Sequence, residues 1–318
     1  MAMRSKLEAL GVDVAKDWLD IFNGETVVRV DNNAKAIRAF LKSLTHSIPI
    51  AIEATNVYHE LFVRLALAAS HKVYLVDAYR VSRYREAVGV RVKTDSVDAR
   101  LLFRYLNAEM AHLRPYQPPP KAVKRLMTLL RVRAKLTHSK TALKQSLAGI
   151  GELAQTSKAL LRRIDQAIQL IDHKLIHCIS HSGYINDYNR CQTIKGIGPI
   201  NAAALVAFYH RGEFRKADAF VSFIGLDVRV RESGRFKGQR KLTKKGNPEI
   251  RRLLFNAARS GARTAQWKPY YDTLRERGLT TTAAAVAIAR KMARLAFALM
   301  RDQTEYQAKY DEKTCLFT

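Results

Sequence analysis

Apolar and polar positions alternate in blocks along the first hundred residues. Leu7 to Val12 is a short apolar run that closes on Asp13, and Trp18 to Phe22 and Thr26 to Val30 are β-rich runs either side of Asn23-Gly24. An Asn-Gly step between two such runs predicts a hairpin, because both turn positions need positive φ. From Ala34 to Leu44 the spacing of Ile37, Leu41 and Leu44 predicts a helix, and Pro49-Ile50-Ala51-Ile52 reads as a buried strand closing on Glu53. Helices from Val57 to Ala69 and Asp95 to Asn107 flank a strand from Val73 to Val76. Strands paired by a hairpin and then alternating with helices predict a mixed α/β domain.

The pattern changes after Pro115 and Pro118-Pro119-Pro120, which predict a stiff linker. Leu126, Leu129, Leu130, Leu136, Leu143 and Leu147 mark one long helix, Gly149-Ile150-Gly151 breaks it, and Leu160, Ile164, Ile168, Ile171, Leu175 and Ile179 mark a second. Stripes of this kind seek a partner helix, so a coiled coil, antiparallel or intermolecular, is expected. Apolar helices from Ile200 to Phe208, Glu249 to Ala262 and Thr282 to Met300 follow. The last carries Arg290, Lys291 and Arg294 across its middle and reads as a core helix that does not span a membrane. Three regions result: an α/β domain over 1–115, a coiled-coil region over 116–186 and a mainly helical domain over 187–318.

Charge narrows the list of partners. Among 318 residues, 55 Lys and Arg face 28 Asp and Glu, a formal net charge of +27. Such an excess repels itself unless a polyanion is the usual partner, and nucleic acid is the leading one. Lys121, Lys124, Arg125, Arg131, Arg133, Lys135, Lys140 and Lys144 decorate the first long helix, as a solvated face or a nucleic-acid contact. Cys178, Cys191 and Cys315 are scattered and predict free thiols, and no apolar leader precedes Asp13 and Asp17, so a cytoplasmic, nucleoid-associated protein is expected.

Candidate chemistry begins with Asp95 and Asp98, three residues apart at a helix start and therefore on one face. They read either as holders of a hard divalent cation or as capping residues, with Thr94 or Asp95 the N-cap and Asp98 near the N3 position of a capping box. Asp13 and Glu53 close apolar runs, and strand ends in α/β sheets converge on a shared edge, so four carboxylates can gather there. Asp77 also ends a strand and reads as a turn residue. His173, His177 and His181 share one helical stripe, with Cys178 adjacent, and read as solvated or interfacial histidines more readily than as a metal site.

In the second half, Lys195-Gly196-Ile197-Gly198-Pro199 before a helix reads as the hairpin of a helix-hairpin-helix, whose backbone N–H groups bind phosphate. Arg229, Arg231, Arg235, Lys237, Arg240, Lys241, Lys244 and Lys245 then make a basic segment around Glu232-Ser233-Gly234. A serine beside glycine is open to a phosphate, and neighbouring guanidiniums offset the charge that builds there, although most serines in such places are plain loop hydroxyls.

Together these stretches resemble the DEDD insertion-sequence transposases, the group that includes the Piv pilin-gene invertases and the RNA-guided bridge recombinases. The resemblance rests on Gly11-Val12-Asp13-Val14-Ala15-Lys16, Ile52-Glu53-Ala54-Thr55, Lys93-Thr94-Asp95-Ser96-Val97-Asp98-Ala99-Arg100, Ile197-Gly198-Pro199, Phe223-Ile224-Gly225-Leu226 and Glu232-Ser233-Gly234, six motifs in family order. Lys245-Gly246 before Arg251-Arg252 fits as well, while the stretch between Gly234 and Gly246 is shorter and more basic than is usual in the family. The resemblance implies a RuvC-like (RNase H-fold) N-terminal domain, a coiled-coil insertion and a C-terminal transposase domain. It implies Mg²⁺ bound by Asp13, Glu53, Asp95 and Asp98, and Ser233 as a nucleophile joined covalently to DNA. It also implies a noncoding guide RNA and a homo-oligomer, dimer to tetramer, that cuts and rejoins donor and target DNA. The alternatives are a RuvC-type junction nuclease with water as nucleophile and a non-enzymatic basic scaffold.

Overall fold

The computed structural model describes residues 9–54, 57–90, 94–229, 232–233, 236–238 and 241–307, with the backbone alone at 232–233 and 236–237. The chain folds as two compact units, Met1–Pro118 and Pro119–Thr318.

The first unit is built on five strands. β1 (Leu10–Val14), β2 (Trp18–Phe22) and β3 (Val27–Asp31) form an antiparallel meander, and β4 (Pro49–Glu53) and β5 (Lys72–Val76) continue the sheet in parallel beyond β1, in the order β3-β2-β1-β4-β5. The hairpin forms at Asn-Gly, but over a four-residue turn, 23–26, in which Gly24 and not Asn23 takes positive φ. Gly24 takes φ +101°, and Asn23 Oδ1 accepts from the N–H groups of Glu25 and Thr26 at 3.0 and 2.9 Å.

Helices cover both faces of this sheet. α1 (Ala34–Lys42), N-capped by Asn33, and α2 (His59–Ala68) bury Ile37, Leu41, Phe62 and Val63 in one core with Leu10, Val12, Leu19, Ile21, Ile50 and Ile52. α3 (Ala78–Ala87) and α4 (Asp95–Glu109) place Val81, Leu101, Leu102 and Leu106 in a second core with Ala51, Tyr74 and Val76. Side chains alternate along a strand, so the positions between the first set belong to the α4 face: Gly11 and Asp13 on β1, Trp18, Asp20 and Phe22 on β2, Glu53 on β4.

The sequence pattern gave no sign of α3, because only Val81 of its ten residues is buried and no apolar stripe marks it. Asp77, read as a turn residue, is the helix N-cap and accepts the Tyr79 N–H at 2.9 Å.

The second unit is helical. α5 (Lys121–Ser146) and α6 (Ala154–His181) run antiparallel, locked by Arg133 Nε to Asp172 at 2.5 Å and by Lys140 Nζ to Asp165 at 2.5 and 2.7 Å. Two cations of the decorated helix are thereby committed to acids of its neighbour. Leu126, Leu129, Leu130, Leu175 and Ile179 enter one core with α7 (Ile185–Thr193), α8 (Pro199–Tyr209), α9 (Ala217–Phe223), α10 (Pro248–Gly261), α11 (Lys268–Glu276) and α12 (Thr281–Asp302), whereas Leu160 and Leu170 are exposed. The helices absent from the sequence reading, α7, α9 and α11, run for only seven to nine residues, too few turns to show a period. Among the described residues no helix is long and apolar enough to cross a membrane.

Buried Asp187 ties this core together. It accepts from Arg190 Nη1 at 3.1 Å and Gln303 Nε2 at 3.1 Å, and lies 2.8 Å from His210 Nε2, joining α7 to the ends of α8 and α12. Burial alone would raise its pKa, but the hydrogen bonds from His210 and Gln303 and the charges of His210 and Arg190 outweigh it and hold the carboxyl below its usual value. Its stabilising contribution is therefore present above the ordinary aspartate pKa and is lost as pH falls through the depressed one. Asp187→Ala leaves those donors unmatched and is expected to cost about 3 kcal/mol at pH 7, read as a lowered midpoint in urea melts.

Candidate active site

Close backbone contact between α4 and β1 creates the site. A Cβ on Gly11 would stand 2.1 Å from the Ala99 carbonyl oxygen and 2.5 Å from the Phe103 nitrogen, so the helix lies directly on the strand only because residue 11 has no side chain. Thr94 is the N-cap of α4, its hydroxyl accepting the Val97 N–H at 3.4 Å. That settles the capping alternative. With Thr94 as the cap, N3 is Val97, so Asp98 has no role in a capping box and is buried on the sheet side of the first turn.

Asp13 reports where the four carboxylates are. Its pKa is raised from 3.8 to about 7, first by burial and then by the charges of Asp98, Asp95 and Glu53, against a lowering hydrogen bond from the Val14 backbone. β4 and the first turn of α4 therefore bring Glu53, Asp95 and Asp98 within electrostatic range of Asp13, near the end of β1. Asp98 is held by an ion pair with Arg85 of α3, both largely buried, and Asp95 Oδ2 accepts the Trp18 indole N–H at 3.4 Å. Among the described residues no three acid, histidine or cysteine side chains yet close on one point as a finished metal cage. The donor set nonetheless suits a hard divalent cation: the candidate donors are all carboxylate oxygens, and the acid charges that add to burial in lifting Asp13 are ones such an ion would offset.

Sequence reasoning missed two groups beside these acids. Asp20 is the cross-strand partner of Asp13, is 3% exposed, and takes Arg29 Nε and Nη2 on its two oxygens at 2.8 Å each. A carboxylate inside the apolar run Trp18-Leu19-Asp20-Ile21-Phe22 was the available signal, since a charge at a core-facing strand position needs a partner.

In the second unit, the basic segment has a defined anchor. β6 (Val228–Arg229) pairs with β9 (Lys241–Leu242), and β7 (Glu232–Ser233) pairs with β8 (Phe236–Lys237), Ser233 opposite Phe236. Ser233 thus closes the inner hairpin strand, one residue before Gly234. Its side chain and that of Lys237, together with Arg231, Arg235 and Arg240, lie outside the described residues. Arg229, Lys241, Lys244 and Lys245 are exposed. The root of the segment is a contact of two glycines. A Cβ on Gly246 would meet the Gly225 nitrogen and the Phe223 carbonyl at 2.7 Å, and Arg251 Nη1 donates to the Gly246 carbonyl at 2.8 Å. The separated motifs Phe223-Ile224-Gly225-Leu226 and Lys245-Gly246 are two sides of one junction.

The Gly196–Gly198 turn also differs in detail from expectation. The Ile197 N–H donates to the Ile194 carbonyl and Pro199 has no N–H, so neither residue offers a backbone donor to a phosphate. Gly196, at φ +96°, is required by packing, since a Cβ there would stand 2.8 Å from the Ala257 carbonyl. Lys195 is exposed, and its carbonyl takes the Trp267 indole N–H at 2.9 Å. His173, His177 and His181 are exposed, and the rings of the last two stack at 3.9 Å.

Two family models match the chain. One, a transposase model of the DEDD type, covers residues 10–153, and the other, "Transposase IS116/IS110/IS902 family", covers residues 188–272. The chain belongs to this transposase family. Among its relatives, the pilin gene-inverting protein of Moraxella bovis is 28% identical over 84% of both chains. A probable family 20 transposase of Pseudomonas aeruginosa is 25% identical over 95% of this chain and 99% of its own, and the transposase of insertion element IS1111A from Coxiella burnetii is 24% identical over 95% and 92%. As a member of this family the protein is a DNA-processing enzyme, a recombinase acting on DNA. DEDD transposases are typically metal-dependent, in keeping with the acids around Asp13.

Proposed function

We propose that the protein cuts and rejoins DNA strands by transesterification, with Asp13, Glu53, Asp95 and Asp98 as holders of Mg²⁺ in a RuvC-like domain and Ser233 as nucleophile. The observation that carries this reading is the meeting of four carboxylates: Asp13 lies within range of the charges of Asp98, Asp95 and Glu53, and its pKa is raised to about 7, first by burial and then by those charges. A protein of net charge +27 does not gather its scarce acids by accident of composition. When bound, Mg²⁺ would polarise the scissile phosphate and stabilise the departing oxygen.

The chain's own groups do the rest. Arg85 and Trp18 orient Asp98 and Asp95, and Gly11 lets α4 approach close enough for both to face Asp13. Ser233 Oγ attacks phosphorus, the bond from phosphorus to the leaving strand's oxygen breaks, and the serine proton passes to solvent as that strand departs with its hydroxyl. The bond energy is kept in a phosphoserine ester, so a second strand hydroxyl rejoins the DNA by the reverse step without ATP. Arg229, Arg231, Arg235, Lys237, Arg240, Lys241, Lys244 and Lys245 hold the phosphate backbone around this serine. Lys195, Gly196 and Gly198, as the hairpin of a helix-hairpin-helix, add a sequence-independent contact. Sequence choice lies in a noncoding guide RNA, and the α5–α6 pair serves as a coiled coil that assembles a dimer or tetramer in the cytoplasm, so that acids of one subunit meet a serine of another.

Ser233→Ala separates this reading from its rival. On a four-way DNA junction with Mg²⁺, it is expected to abolish both cleavage and the protein–DNA adduct. A nuclease that uses water would keep cutting with that serine gone.

A further inference from the structure

We infer that Trp18 and Arg29 form a grip for the nucleic-acid strand entering the acidic site, Arg29 on a backbone phosphate next to the scissile one and Trp18 against the adjoining base. The inference rests on the reading of Asp13, Glu53, Asp95 and Asp98 as the catalytic acids, and adds residues outside that set.

Register places the grip. Asp13 pairs with Asp20, and Asp20 with Arg29, so one row across β1, β2 and β3 carries all three side chains on the face that α4 covers. At one end of β2 this face is closed, where Phe103 of α4 meets Phe22 edge-on at 5.1 Å and Arg100 lies over the Phe22 ring at 4.6 Å. At the other end the described residues leave it partly exposed. Trp18 is half-buried with its indole N–H on Asp95, and the Arg29 guanidinium lies 4.8 Å over its ring.

The burial of the pair members is lopsided. The Asp20 side chain is 3% exposed and the Arg29 side chain 59%. Asp20 takes Nε and one terminal nitrogen, fixing the guanidinium plane while its outer edge faces water. A buried ion pair is often replaceable by apolar side chains at no loss of stability, so fold alone gives weak reason for a charge here. A fixed, exposed guanidinium beside a catalytic cluster has a chemical use. The acids repel every phosphate that approaches, and Arg85, which pairs with Asp98, is committed and mostly buried. Arg29 supplies an attractive charge at the rim, with the planar fork that suits phosphate oxygens. An aromatic ring beside it offers a stacking surface that accepts any base, as a site with no sequence preference of its own requires.

The test reads binding, not catalysis. The full-length protein is titrated with a fluorescein-labelled four-way DNA junction in Ca²⁺ across a series of salt concentrations. Arg29→Gln is expected to lower the slope of log affinity against log salt by about one, the value for one lost phosphate contact. Arg29→Lys is expected to keep the slope. Because Arg29→Gln strips buried Asp20 of its partner, the double variant Asp20→Asn with Arg29→Gln, which restores a neutral hydrogen bond, is measured beside it and should show the same lowered slope. The protein has two tryptophans, and Trp267 is 3% exposed, so DNA quenching of indole fluorescence reports Trp18 and is expected to vanish in Trp18→Phe. An unchanged slope in the double variant, or unchanged quenching in Trp18→Phe, overturns the inference. Neither readout depends on cleavage. If Asp13→Asn and Ser233→Ala cut normally while the slope still falls, the catalytic reading fails and the grip stands.

Discussion

Replacing Asp13 with asparagine is expected to lower metal-dependent strand cleavage by about a thousandfold or more, and to make the metal-free protein more stable at pH 8. The two effects have opposite signs because Asp13 is held in the fold at a cost. Its folded pKa, about 7, lies above the ordinary 3.8, so the folded state binds the extra proton between those values. Stability is then greatest below the ordinary value, falls as pH rises from about 4 to 7, and stays low above that. The loss is on the order of 2–3 kcal/mol once solvent screening is allowed for. Asparagine carries no charge and removes that slope. Urea melts at pH 5 and pH 8 check it: the wild type is expected to lose stability between the two and regain it with Mg²⁺, and Asp13→Asn to do neither. A wild-type stability flat across that range, or an Asp13→Asn variant that still gains from Mg²⁺, would mean that the acids do not form one charge cluster.

Gly11→Ala is the second large effect, and it needs no charge. A methyl group 2.1 Å from the Ala99 carbonyl oxygen and 2.5 Å from the Phe103 nitrogen meets backbone on both sides, so no side chain can rotate away and α4 must lift from β1. Overpacking against rigid backbone is expected to cost about 3 kcal/mol or more, with a fallen urea midpoint. Because α4 carries Asp95 and Asp98 and β1 carries Asp13, the same displacement should draw the acids apart. Any folded fraction is then expected to show a weaker Mg²⁺-induced stabilisation than wild type. A variant with wild-type stability and wild-type Mg²⁺ response would contradict the direct helix-on-strand contact.

The parts of this architecture that are visible in the sequence are those with a local cause. The hairpin at Asn23-Gly24 is set by a glycine at positive φ and by an asparagine side chain that accepts two backbone N–H groups of the turn, and β1 and β4 are mostly apolar because both of their faces are covered. The acids at 13, 53, 95 and 98 could be grouped because two close apolar runs and two begin a helix, and the charges of the other three act on Asp13. Other features depend on contacts distant in the chain. α3 has one buried residue, and its start is decided by Asp77 alone. Asp20 looks like an error in an apolar strand until β3 brings Arg29 alongside it. The junction of Gly225 with Gly246 joins positions twenty-one residues apart and has no pattern of its own. Trp18 and Arg29 also lie in different strands and meet only through register.

The central claim is that a serine of the second unit and the acids of the first act on one phosphodiester. It is tested most directly by trapping the reaction on a DNA junction in Mg²⁺, digesting the protein, and locating any covalently attached nucleotide by mass spectrometry. The account predicts a nucleotide on Ser233 in the wild type, and none when Mg²⁺ is withheld or Asp13 is replaced by asparagine. Cleaved DNA with no nucleotide on the protein, or a nucleotide attached at another residue, would contradict it.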